Sequence, residues 1–245
     1  MKSVRCVKMT NTAKTTKLFA IADTHLSFTV DKPMGVFGAA WLDHAEKLAA
    51  AWREDVSEDD SVIVAGDISW ALKQSDALPD LDFLHGLPGR KLLVRGNHDL
   101  WWQKIKLLNT LYDDMCFLQN DYAFFQDGVA VCGSRGWGLP GLEDYGVDDE
   151  KILARELIRL RMSLDKAVAA GARDIVCALH FPPALAPSNA SPFTELLERY
   201  PVSQAVYGHL HGPQAFKKGI MGEYRGIFYR LASCDFLDFR PLRVL

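Results

Sequence analysis

No apolar run in the chain approaches the length of a bilayer crossing, so nothing in it reads as a membrane-spanning helix. No Cys-x-x-Cys pair is present. The five cysteines (Cys6, Cys116, Cys132, Cys177, Cys234) are odd in number and lack the spacing of a disulfide framework. Two of them, Cys132 and Cys177, lie inside apolar runs as small hydrophobes do, and the pattern points to a reducing compartment. No block of like charge occurs and the formal net charge is -3, which leaves no basic footprint for nucleic acid. Ser/Gly tracts, proline-rich runs, internal repeats, lipidation motifs and a nucleotide-binding glycine loop are all lacking, so neither a linker nor a tether is marked. The stretch from Met1 to Lys17 has no apolar centre of a secretory signal, and the expectation is a cytoplasmic protein.

What is present suits one globular domain over residues 1–245, with 1–16 as a lead-in segment. The hydrophobic fraction is 49% and the charged fraction 24%. Apolar runs at 17–22, 61–65 and 91–94 read as strands, alternating with helical spacing at about 40–56, a helix near 80–84 and another over 100–111. From Met115 the pattern changes to short apolar stretches split by Gln119-Asn-Asp and Gln126-Asp-Gly, the second a hairpin signal. The longest helix is expected over 148–170, with Leu153, Leu157, Leu160 and Leu164 on one stripe. A strand to Leu179, a short helix near 193–199, a strand to Tyr207 and a strand-rich tail follow. Alternation first and hairpins later predict an α/β protein of two packed sheets with helices outside.

Five of the apolar runs end in the same chemistry. They lead into Asp23-Thr-His25, Gly66-Asp67, Gly96-Asn97-His98-Asp99, His180 and Gly208-His209-Leu-His211. Strand ends of α/β sheets are where ligands bind. Asp23 with His25, and His209 with His211, are spaced so that on an extended backbone each pair points to one side. Carboxylate, imidazole and amide oxygen together suit divalent Mn, Fe, Zn or Co. Asp67 is the natural carboxylate to bridge two ions, and a two-ion site at roughly 3.5–4 Å separation suits in-line displacement at phosphorus.

In this order and context the five blocks resemble the calcineurin-like metallophosphoesterase superfamily, from residue 23 to residue 211. The resemblance implies a four-layer α/β/β/α sandwich holding two divalent ions (Mn, Fe or Zn) at the strand ends. It implies that Asp23, His25 and His211 hold the first, Asn97, His180 and His209 the second, and that Asp67 bridges. His98 would serve as proton donor or phosphate-charge stabiliser, with Asp99 orienting its imidazole. Arg95 matches the phosphate-binding arginine of the Ser/Thr protein phosphatase branch. That branch also carries Gly-Asp-x-Val-Asp-Arg-Gly, whereas here the block reads Gly66-Asp67-Ile68-Ser69-Trp70, and Asp99 stands where it has Glu. The ligands survive those differences, but the inference to phosphoprotein substrates does not.

The expected activity is hydrolysis of a phosphate mono- or diester on a small-molecule or nucleotide-like substrate. A non-catalytic metal-binding scaffold and a nuclease of the same superfamily are the rivals; the acidic balance disfavours the nuclease. His44 and His85 fall outside the blocks and carry no assigned role. Trp70, Trp101, Trp102 and Trp137 follow strand ends, where they either line the site mouth or anchor packing. Arg135 sits on a glycine-containing turn and reads as solvated.

Overall fold

The structure, a computed structural model, describes residues 16–140 and 145–245. The expected lead-in lies almost wholly outside the described residues. Its strands are β1 (Leu18–Ile21), β2 (Ser61–Ala65), β3 (Arg90–Val94), β4 (Met115–Leu118), β5 (Tyr122–Gln126), β6 (Val129–Ser134), β7 (Asp174–Leu179), β8 (Val202–Tyr207), β9 (Gly222–Tyr224), β10 (Ile227–Leu231) and β11 (Leu242–Arg243). The helices are α1 (His44–Asp55), α2 (Gln74–His85), α3 (Ile105–Leu108), α4 (Val147–Ala169), α5 (Pro192–Leu197) and α6 (Gly212–Phe216).

Two sheets form. One has five strands in the order β11-β1-β2-β3-β4 and the other six in the order β5-β6-β7-β8-β10-β9. Strands β1 to β4 run parallel, as do β6, β7, β8 and β10, so each sheet carries its strand ends on one edge. Period-two alternation explains the layering. In β1 and β2, Leu18, Ala20, Ile63 and Ala65 point inward to meet Val131, Val176, Ala178 and Val206 of the second sheet. Phe19, Ile21, Val62 and Val64 point outward onto Leu48 and Trp52 of α1 and Leu81 and Leu84 of α2. On the far side Cys132, Ile175, Cys177 and Leu179 pack on Leu153, Leu160 and Leu164 of α4 and Phe193 and Leu197 of α5. The result is the expected α/β/β/α sandwich, with the alanine-rich inner faces letting the sheets approach closely.

Several boundaries differ from the sequence reading, each for a local reason. The helix expected over 40–56 is broken. A 3-10 turn at Ala39–Trp41 precedes Asp43, whose left-handed backbone (φ 52°) separates it from α1. The helix expected over 100–111 shrinks to α3, because Trp101 and Trp102 are buried as core anchors and the Trp101 indole donates to Asp99 Oδ1 (3.1 Å). Helix α2 begins at Gln74, earlier than the apolar spacing suggested. The Asp127-Gly128 turn closes the β5–β6 hairpin as expected. In the tail, Arg225 (φ 48°) and Gly226 (φ 79°) supply the two left-handed residues of a tight β9–β10 hairpin. Cys132, Cys177 and Cys234 are free and buried, as small hydrophobes inside apolar runs are. No helix among the described residues is long and apolar enough to cross a membrane.

Candidate metal centre

The five blocks converge where the strand ends of both sheets meet. Asp23, His25 and His211 form one group of potential ligand atoms and Asp67, His180 and His209 a second, the atoms of each lying within 4.8 Å of one another. The loops that carry them are laced together by backbone hydrogen bonds. Asp23 N donates to Gly66 O (2.9 Å), His25 N to Asp67 O (3.0 Å) and Leu26 N to Ile68 O (2.9 Å). Within the second sheet Gly208 N donates to His180 O (3.0 Å), and across the sheets His209 N donates to the Asp23 carboxylate (2.9 Å to Oδ2).

The convergence does not come from an extended backbone, as the two-residue spacing had suggested. Strand β1 ends at Ile21, and Asp23 (φ 59°) and His25 (φ 44°) both lie in the left-handed region. Asp67 (φ 49°) and His209 (φ 72°) do the same. For non-glycine residues this conformation costs about 1–3 kcal/mol each and persists only where the surroundings over-determine it. Here the laced loops do so, and the strain turns the side chains toward a common centre.

The donor set tests well against a divalent cation. Asp67 Oδ2 stands among the imidazoles, 3.3 Å from His180 Nε2, 3.9 Å from His25 Nε2 and 4.0 Å from His98 Nε2. Its other oxygen is taken by His98 N (2.8 Å). His25 Nε2 and His211 Nε2 lie 3.4 Å apart, and Asn97 Oδ1 is 2.7 Å from His180 Nε2. Buried His25 Nδ1 has no hydrogen-bond partner. His180 Nδ1 lies 3.1 Å from Ala65 O, an arrangement that puts the proton on Nδ1 and leaves Nε2 as a ligand atom. His211 Nδ1 likewise faces Asp235 Oδ1 (3.0 Å), whose second oxygen accepts from Gly212 N (3.0 Å).

Burial and charge set the protonation of the group. At His180 burial opposes protonation, yet the Asp67, Asp23 and Asp99 carboxylates outweigh it and push the pKa up to about 9. Burial drives His209 down to about 3, reinforced by the His180 charge, and holds His25 well below its ordinary value. Burial raises Asp23 to about 6, against the pull of His180 and His211. Asp67 is buried too, but His180 and His25 hold it well below the usual carboxylate range. Three imidazoles and two carboxylates compressed in this way form an acid-base mixture that a divalent cation would replace with direct ligation.

Asp99 is corrected. It does not touch the His98 ring. Its buried carboxylate accepts from Ile68 N (2.8 Å), Ser69 N (3.2 Å), the Trp101 indole (3.1 Å) and Gly96 N (2.7 Å), tying the β3 loop to the β2 loop. The reason is geometric: the tight turn after Val94 folds Asp99 back beneath its own loop. Asp99→Asn turns an amide toward Gly96 N–H or the three other donors, and is expected to destabilise the protein by about 1–3 kcal/mol in chemical denaturation. His98 instead packs its half-exposed ring on Trp70 (4.3 Å between centroids), and burial lowers its pKa.

Arg95 is partly buried; its Nε donates to Asp99 O (3.2 Å), and it lines a small cavity with Arg135, Arg159 and Glu156. Arg135 is not solvated as expected: its guanidinium lies 3.4 Å from Glu156 and over the Trp137 ring (4.3 Å). Of the tryptophans, Trp101 and Trp102 are core, while Trp70 stacks on the His25 ring at 4.7 Å and 16°. Trp41 and Asp235 were missed. Trp41 edges onto His25 (5.9 Å) and His211 (5.5 Å), with His44 packed behind it. Nothing in the spacing around Asp235 distinguishes it from other surface carboxylates, because its partner lies 24 residues away. Asp235→Ala is expected to weaken divalent-metal affinity about 10–100-fold in calorimetry with the fold intact. A further group, His85, Asp113 and Asp114, is already satisfied. Asp114 holds the buried Lys91 ammonium (2.6 Å) and the His85 ring (2.7 Å).

A two-sheet α/β/β/α sandwich with Asp, Asn and His side chains gathered at its converging strand ends defines a metallophosphoesterase. Residues 16–213 match the calcineurin-like phosphoesterase family, and the chain belongs to that family. It is a metal-dependent phosphoesterase. Among solved structures the chain is similar to a protein of unknown function from Aquifex aeolicus, at 18% identity and TM-score 0.54 over 94% of this chain and 96% of that one. It is also similar to the phosphopantetheinyl hydrolase of Mycobacterium tuberculosis, at 19% identity and TM-score 0.53 over 94% and 95%. At those identities the likeness is one of fold. No curated protein sequence matches.

Proposed function

We propose that the chain hydrolyses a phosphate mono- or diester through a dinuclear centre. In this reading Asp23, His25 and His211 hold one ion, Asn97, His180 and His209 the other, and Asp67 lies between. The observation that carries it is the position of Asp67 Oδ2, within 4.0 Å of imidazole nitrogens from three separate loops. When bound, two divalent ions supply Lewis-acid chemistry, neutralising phosphoryl charge and lowering the pKa of water.

The residues of the chain do the rest. The Ala65 carbonyl and the Asp235 carboxylate fix the tautomers of His180 and His211. Trp70 restrains the His25 and His98 rings from one side. His98 is half exposed, and its lowered pKa makes it a neutral hydrogen-bond partner at pH 7 for a leaving oxygen or phosphoryl group. With its Nε held by Asp99 O, Arg95 has only its remaining guanidinium N–H donors for non-bridging oxygens in this reading. The substrate is a small phosphate ester and the setting cytoplasmic; the ions are Mn, Fe or Zn on the chemistry of the donors.

The test is metal-free protein supplied with Mn, Zn, Mg or no metal. Metal at about 100 times its dissociation constant stabilises the fold by about 2.7 kcal/mol, raising Tm by about 5–10 °C. p-Nitrophenyl phosphate and bis-p-nitrophenyl phosphate then separate monoesterase from diesterase. Metal binding without hydrolysis of any phosphate ester would favour the non-catalytic scaffold. The absence of both metal binding and turnover would refute the centre.

A further inference from the structure

A cleft of about 290 Å³ opens against His209, a member of the second ligand group. Its walls are apolar and come from three loops: Trp137 and Leu139 after β6, Phe181 and Leu185 after β7, and Leu210 after β8. Trp137 and Phe181 meet at 5.1 Å and 47°, forming an aromatic corner. The Phe181 ring continues onto the His209 imidazole at 4.0 Å, so the apolar wall runs directly into the candidate metal centre. Among the described residues that line the cleft, only His209 and Lys218 are ionisable.

The cleft is built rather than incidental. Ala186 N donates to Lys218 O (2.8 Å), and Ile220 N to Ala184 O (3.3 Å), zipping the β7 loop to the segment after α6. The Tyr207 hydroxyl donates to Ile220 O (2.7 Å) from beneath. On the other wall the Trp137 indole donates to Asp149 Oδ1 (2.8 Å), and the Arg135 guanidinium covers the ring's other surroundings at 4.3 Å. An apolar slot that touches the His209 imidazole gives a bound ester somewhere to place its organic half. Its volume is at the lower end of the roughly 300–1,000 Å³ of small-molecule pockets, enough for one ring and a short substituent.

We propose that this cleft is the leaving-group subsite and selects phosphate esters whose alcohol is flat and apolar, an aryl or comparable ring, with Lys218 serving an anionic or carbonyl substituent on it. The proposal rests on the phosphoesterase reading above and narrows its substrate class. A planar group slides between the Trp137 and Leu185 walls and stacks on the aromatic corner, leaving its phosphoryl group beside His209. A methyl ester places nothing there. Discrimination of this kind in an apolar pocket is about tenfold or more per group placed.

The experiment measures binding first and turnover second, on the Mn-loaded full-length chain. Calorimetry compares phenylphosphonate with methylphosphonate, which share the phosphoryl group and differ only in the arm. The expected result is at least a tenfold tighter Kd for the phenyl compound. Ala215→Trp, which fills the cleft from α6, should reduce that preference at least fivefold, and Trp137→Leu, which removes the aromatic corner, should reduce it as well. Should one variant fail to fold, the other still decides. Equal affinities in the wild-type protein, or a preference untouched by the folded variants, would overturn the subsite while leaving the metal centre standing. Loss of Mn binding altogether would overturn the dinuclear reading instead; the two phosphonates would then be compared on metal-free protein, where the apolar preference should persist. For turnover, the ratio of kcat/KM for phenyl phosphate to that for methyl phosphate should fall in Ala215→Trp by the same factor as the binding ratio.

Discussion

Asp67→Asn is expected to lower metal-dependent phosphoesterase turnover by at least about 10³-fold, a loss of about 4 kcal/mol of transition-state stabilisation. The change is nearly isosteric, so packing is preserved. What it removes is the negative charge at the oxygen that His180, His25 and His98 all face. An amide offers one neutral oxygen in place of the charged pair and, with His98 N already claiming Oδ1, turns either an N–H or a weak acceptor toward the His180, His25 and His98 nitrogens. Two readouts separate this from general damage. The metal-dependent rise in Tm should shrink or vanish, because stabilisation by a bound ion scales with its affinity. His180 should become easier to deprotonate, since the Asp67 charge is the largest influence holding its proton. An Asp67→Asn protein with wild-type turnover would remove Asp67 from the centre.

Gly96→Ala is expected to be the most damaging single methyl in the chain. A Cβ at residue 96 would land on Asp67 N and Asp67 Oδ1 and come within 2.8 Å of Asp67 Cα. These are mostly backbone atoms of the facing loop and cannot swing aside as a flexible side chain would. Gly66, the neighbouring residue of that loop, is similarly confined, with a Cβ there meeting Gly96 Cα and His180 Nδ1 and its own backbone left-handed (φ +89°). The two glycines therefore let the β2 and β3 loops touch, so that Asp67 and Asn97 reach one centre. Forcing them apart should destabilise the fold by about 3 kcal/mol, or about 6–12 °C in Tm. A displacement near 1 Å at Asp67 should cost about 100-fold in kcat/KM as well. Scanning calorimetry and steady-state kinetics on the same preparation would check both. Wild-type stability would mean that the loops are not in contact as described.

The extent to which the site was legible follows from how its residues are spaced. Asp23, His25, Asp67, Asn97, His180, His209 and His211 announce themselves because each closes an apolar run, and parallel strands bring their ends to one edge. Asp99 announced itself equally well, and its expected contact was wrong. Adjacency to His98 in sequence says nothing about a turn that folds the carboxylate back onto Ile68, Ser69 and Gly96. Arg135 was misread for a similar reason: its partner Glu156 lies on the face of α4, and an amphipathic helix does not advertise which of its carboxylates is buried.

By itself the sequence determined which Asp, Asn and His residues stand at the strand ends, the layered class of the fold, the hairpin turn at Asp127-Gly128 and the helix over α4. These depend on local periodicity and on residue types whose meaning is fixed by their own backbone. Only the tertiary structure decided that Asp235 orients His211, that Trp41 and Trp70 wall the His25 side, and that an aromatic cleft adjoins His209. It also decided that left-handed residues, not extended ones, aim Asp23 and His25. Such relations join atoms from different loops, and their energy comes from burial and packing that exist only once the two sheets have closed on each other.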